Sequence, residues 1–139
     1  MPEFFPSHVP ADAGDFLRGY LAAAEWLLDD QSPPEEGGID RETIKGWAPA
    51  ALADARGDCE AFEAANAADL AEYCGLRRQG EGYSAVEAAG HDFWLSRNGH
   101  GAGFFDRGNE AVFDRLQKAA SVWGGADLYL GDDGFLYFS

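Results

Sequence analysis

The stretch Asp127-Leu128-Tyr129-Leu130, Gly131-Asp132-Asp133-Gly134, Phe135-Leu136-Tyr137-Phe138 constrains this chain more than any other. Two short apolar runs rich in aromatics flank a turn of glycine and aspartate, the pattern of a β-hairpin. A lone hairpin is marginal in water, so this one must pack against something else. A second hairpin is expected upstream, where Phe93-Trp94-Leu95 and Phe104-Phe105 flank Asn98-Gly99-His100-Gly101-Ala102-Gly103.

The rest of the chain reads as helix. Phe16, Leu17, Tyr20, Leu21, Ala24, Leu27 and Leu28 follow the spacing of one buried stripe, with Asp12 as N-cap. The run from Asp29 to Gly38 is a polar, breaker-rich loop. Asp40 caps a short turn that Gly46 ends. Pro49 fits the first turn of a helix reaching Ala65, with Leu52, Ala55, Cys59 and Phe62 on its inner face. Asn66 caps a further helix carrying Leu70, Tyr73 and Cys74, with Gly75 as its stop. Ser84 and Glu87 have capping-box spacing, predicting a short helix over Ala85–Ala89 that Gly90 terminates. Asn109 caps a last helix to about Val122. The expectation is one α+β domain over residues 1–139: a helical N-terminal half, then β-hairpins forming a small antiparallel sheet with the last helix packed on it.

Composition narrows the function classes. The 139 residues hold 25 acidic against 10 basic side chains, a formal charge of −15. Direct binding to nucleic acid needs clustered Lys and Arg, so neither it nor an anionic membrane surface is expected. No apolar run is long enough to span a bilayer, and the first residues carry no secretory pattern. Cys59 and Cys74 lie in alanine-rich helical segments and no Cys-x-x-Cys pair occurs, which reads as reduced thiols in the cytoplasm without a zinc site.

The densest candidate for chemistry is Gly90–Arg107, with two of the three histidines. An imidazole beside a carboxylate can act as a general base or hold a metal, which nominates His91 and His100 with Asp92 and Asp106. The structural alternative puts His100 at the exposed hairpin turn and pairs Arg97 with Asp106 across the two strands. Gly99-x-Gly101-x-Gly103 lacks the strand-then-helix setting of a phosphate loop, so these glycines are assigned to a tight turn. Gly131-Asp132-Asp133-Gly134 is too short for a calcium loop and is assigned to a plain turn. No cofactor is expected.

Acidic pairs at helical spacing form the other candidate site: Asp54 with Asp58, Glu60 with Glu63, and Asp69 with Glu72. Like charges so placed cost a helix a few tenths of a kcal/mol, so they do not serve helix stability. They are either a solubilising face or, together with Arg97, a surface for a basic partner. The excess charge is greatest over residues 1–40, at net −8.

Gly90-His91-Asp92-Phe93-Trp94-Leu95-Ser96-Arg97-Asn98-Gly99-His100-Gly101-Ala102-Gly103-Phe104-Phe105-Asp106-Arg107, with the terminal Asp127-Leu128-Tyr129-Leu130-Gly131-Asp132-Asp133-Gly134, resembles a family of small acidic proteins of phages, prophages and plasmids. The resemblance covers about the last third of the chain and carries no residue roles. It implies a mobile-element origin and, by association, inhibition of CRISPR or restriction systems. The leading expectation is a non-enzymatic protein whose acidic surface occupies the nucleic-acid-binding site of a host complex. The alternatives are a small general-base or metal-dependent enzyme built on His91, His100, Asp92 and Asp106, and a phage structural or accessory protein that self-associates.

Overall fold

A computed structural model describes residues 9–10, 13–26, 44–76, 84–99, 103–104 and 111–138. Over these the order is α1 (Asp15–Trp26), β1 (Gly46–Trp47), α2 (Pro49–Ala65), α3 (Ala67–Leu76), α4 (Ala85–Arg97), α5 (Ala111–Ser121), β2 (Leu128–Leu130) and β3 (Phe135–Phe138). The α+β class therefore holds. The expected caps at Asp12 and Asn109, and the Asp29–Gly38 loop, lie outside the described residues.

The centre of the fold is the crossing of α1 on α4. Two glycines set its depth. A Cβ on Gly19 would stand 1.8 Å from the Glu87 carbonyl oxygen, and one on Gly90 would stand 1.9 Å from that of Phe16. Each helix thus presses its backbone against the other at a position that only glycine permits. Around the crossing the rings of Phe62 and Phe93 stack with centroids 4.1 Å apart, and Tyr20 meets Trp94 edge-on at 5.3 Å. Buried residues from α1, β1, α2, α3, α4, α5 and both hairpin strands join one hydrophobic cluster.

Local sequence explains several boundaries. Pro49 opens α2, where its missing N–H costs nothing. Ser84 caps α4 through the Glu87 amide, and the Glu87 side chain accepts from the Ser84 amide in return. Gly131–Gly134 is the turn of the terminal hairpin, with Leu128 opposite Phe138 and Leu130 opposite Leu136.

Four expectations are corrected. The first hairpin does not form on its N-terminal side: Phe93, Trp94 and Leu95 belong to α4, which runs through Gly90 to Arg97. Gly90 is a close-packing residue, and the glycine that ends the helix is Gly99, at φ +75°. Phe104 sits in a short turn, held where its amide donates to the Ser96 hydroxyl at 2.9 Å. Second, Gly46 begins a strand instead of ending a helical turn; Lys45 and Ala48 donate backbone bonds to Gly134 and Leu136. Third, the sheet is mixed. Its order is β1-β3-β2, with β1 parallel to β3 and β2 antiparallel to it. Fourth, the helix that meets the sheet at β3 is α2, while α5 packs on α3 and α4. The apolar stripe of α5 is already taken: Phe113 meets the Tyr73 ring edge-on at 6.0 Å.

Candidate functional site

Two of the four residues nominated for chemistry are described, and both lie inside the fold. Asp92 is fully buried on α4, and the hydroxyl of Tyr73, also fully buried, donates to its Oδ2 at 2.7 Å. His91 precedes it, 7 % exposed, with Nδ1 4.0 Å from Asp92 Oδ1, beyond hydrogen-bond reach. His100 and Asp106 lie outside the described residues. Among the described residues no three His, Cys, Asp or Glu side chains converge as metal ligands.

Arg97 does not stand on a strand facing Asp106. It is the last residue of α4 and ties four segments together. Its Nη1 donates to Asp58 Oδ2 at 2.8 Å and to the Tyr20 hydroxyl at 3.0 Å, and its Nε to the Gly124 carbonyl at 2.9 Å. The guanidinium also lies near the rings of Phe93 and Trp123, at 5.8 and 5.7 Å. Burial pushes the Tyr20 phenol well above its ordinary pKa, with Arg97 opposing.

The acidic residues divide by location. At 100° per residue, Asp54 and Asp58 sit about 40° apart on one flank of α2, while Glu60 and Glu63 sit about 60° apart on the other. Asp58 is taken by Arg97. On α3, Asp69 and Glu72 share Arg115 of α5, at 3.0 and 3.3 Å. Asp54, Glu60 and Glu63 have no Lys or Arg within 4.0 Å among the described residues. Among the described residues, Asp58, Asp69 and Glu72 are thus tied to arginines of other helices, while Asp54 on one flank of α2 and Glu60 and Glu63 on the other hold no such pair.

Glu63 stands apart from the others. It is half-buried, and its side chain lines two adjoining hollows on the face formed by α1, α2, α3 and α4. The larger, about 280 Å³, has walls of Phe16, Leu70, Ala71, Cys74 and Val86. The smaller, about 210 Å³, adds Asp15, Arg56, Cys59 and Glu60. Burial pushes the Glu63 carboxyl above its ordinary range, and the neighbouring Glu60 pushes it the same way. Val86, 37 % exposed, is an apolar residue on the solvent side of the first turn of α4.

Sequence reasoning reached Glu63 through its spacing to Glu60 but not the apolar hollow beside it. Phe16, Leu70 and Cys74 read as inner-face residues, and the one local signal was Val86, apolar just after a helix cap. Tyr20 and Tyr73 were placed on their helices, but nothing marked them as partners of Arg97 and Asp92, since no spacing rule links residues 77 or 19 positions apart. Glu25, fully buried on α1, was likewise unmarked.

No helix among the described residues is long and apolar enough to cross a membrane. Comparison with family models, curated proteins and solved structures finds no match to this chain.

Proposed function

We propose that this chain is a non-enzymatic binding protein, carried by a phage, prophage or plasmid, that lays acidic surface against the basic nucleic-acid-binding site of a host complex in the cytoplasm. A CRISPR or restriction complex is the class of target. The observation that carries the reading is that Asp54, Glu60 and Glu63 of α2 have no cation partner among the described residues, in a chain of net charge −15. A field of that sign steers a basic surface into contact and fades as salt rises.

The test is displacement of DNA or guide RNA from a panel of bacterial CRISPR and restriction complexes. Displacement is expected at low ionic strength, weaker at high, and lost in the triple variant Asp54→Asn, Glu60→Gln, Glu63→Gln. A panel in which no complex releases its nucleic acid at low salt would remove the proposal.

One observation favours self-association as a second reading. Tyr129 is 47 % exposed on β2, an edge strand among the described residues, and stacks on Tyr137 at 5.7 Å, an aromatic surface at the sheet edge. A monomeric sedimentation profile at high concentration would count against it.

A further inference from the structure

We propose that the larger hollow, between α1, α2, α3 and α4, receives one lysine or arginine side chain of the partner, its aliphatic stem lying on Phe16, Leu70 and Val86 and its charged end on Glu63. This rests on the binding reading above and names the anchor that the reading leaves open.

Three features of the hollow select that occupant. The walls are apolar, and among the described residues Glu63 is the only charged group lining the larger hollow. A neutral apolar ligand would strand that carboxylate, and a bare cation would leave the apolar walls wet. A long cationic side chain satisfies both, because it buries its methylenes and keeps its charge at the tip. The carboxylate is also poorly served at present: burial and Glu60 both disfavour its charged form. A cation beside it offsets both effects.

The other ionisable neighbours leave this position open. Asp15 of α1 pairs with Arg18 at 3.2 Å and accepts from the Ser84 hydroxyl. Arg56 lines only the smaller hollow; it stands seven residues before Glu63, about 10 Å along the helix axis, with no ion pair to it. Cys59 and Cys74 are thiols whose pKa values burial raises, so they add no competing charge.

The probe is n-butylguanidinium, titrated into the whole protein at low salt while the methyl NMR signals of Leu70, Ala71 and Val86 are followed. Saturable shifts confined to these methyls are expected. Affinity should rise about fourfold per added methylene from ethyl- to butylguanidinium, as burial of a CH₂ predicts. Neutral n-butylurea should bind at least tenfold more weakly. Glu63→Gln should abolish the preference for the cation, and Ala71→Phe, at an exposed helix position, should block the hollow while leaving the fold intact.

Shifts that never saturate, or that persist unchanged in both variants, overturn the inference. Nucleic-acid displacement separates it from the broader reading. If both variants displace like wild type and butylguanidinium does not bind, the anchor is wrong and the acidic-surface reading stands. If butylguanidinium binds through Glu63 but no complex is displaced, the acidic-surface reading falls and the cation hollow stands.

Discussion

The hydroxyl of Tyr73 on α3 and the carboxylate of Asp92 on α4 meet at 2.7 Å with both side chains sealed from solvent. The bond fastens two helices through a group that is costly to bury alone. Tyr73→Phe keeps the ring but removes this donor, and should destabilise the fold by about 1–3 kcal/mol. Urea denaturation checks it; an unchanged midpoint would show that Asp92 does not depend on the phenol.

Gly90 and Gly57 make a contrasting pair. Alanine is the better helix former by about 1 kcal/mol, and at Gly57 a Cβ meets nothing within 4 Å, so Gly57→Ala should stabilise by up to that amount. At Gly90 the same methyl would stand 1.9 Å from the Phe16 carbonyl oxygen. Gly90→Ala should therefore cost at least about 2 kcal/mol by forcing α1 off α4. Thermal unfolding of the two variants should move in opposite directions.

Arg97 supplies a fork, and lysine does not. Arg97→Lys keeps the charge but cannot reach Asp58, Tyr20 and the Gly124 carbonyl together, and should cost about 2–3 kcal/mol. Asp58→Asn should cost less, about 1 kcal/mol, because the Asp58 side chain is 36 % exposed and water replaces part of the interaction. Denaturant titration of both variants gives the ranking, and a reversed order would move the weight of the clasp to Asp58.

Burial pushes the Cys59 thiol far above its ordinary pKa, with Glu63 and Asp58 acting in the same direction. Cys74 is shifted upward by burial alone and is partly exposed. Native protein treated with iodoacetamide should therefore alkylate slowly at Cys74, and at Cys59 only as fast as it unfolds. Peptide mass spectrometry over time distinguishes the two.

Glu63 links stability to pH with a definite sign. Its folded pKa is raised, so the native state favours the protonated form. That contribution is fully present below the ordinary carboxylate pKa and is lost as pH rises through the raised value. Glu63→Gln, which imitates the neutral form, should thus have a higher Tm than wild type at pH 7. The gap should close as pH falls below the carboxylate range, a comparison that calorimetry at the two ends makes directly.

What could be read from sequence was local. The Pro49 helix start, the Ser84–Glu87 box and the Gly131–Gly134 turn each depend on a few neighbouring residues, and the structure has all three. Gly90 was misread because a glycine that stops a helix and one that lets two helices touch look alike without the second helix. Gly46 was misread because its strand partner lies at Phe135. For the candidate site the limit was the same. Glu63 stood out beside Glu60, but the hollow is assembled from Phe16, Leu70 and Val86 on three other helices.

The parallel pairing of β1 with β3 also orders events during synthesis. Gly46 cannot find Phe135 until nearly ninety further residues have left the ribosome, and β3 is the middle strand on which both neighbours depend. The α1–α4 crossing can form earlier, from segments already emerged. The β1–β3 pairing spans the longest chain separation among the described strand pairs, so closing it costs the most loop entropy. A chain cut before Phe135 would lose the middle strand and, with Leu136 and Phe138, part of the core against which α1 and α4 pack.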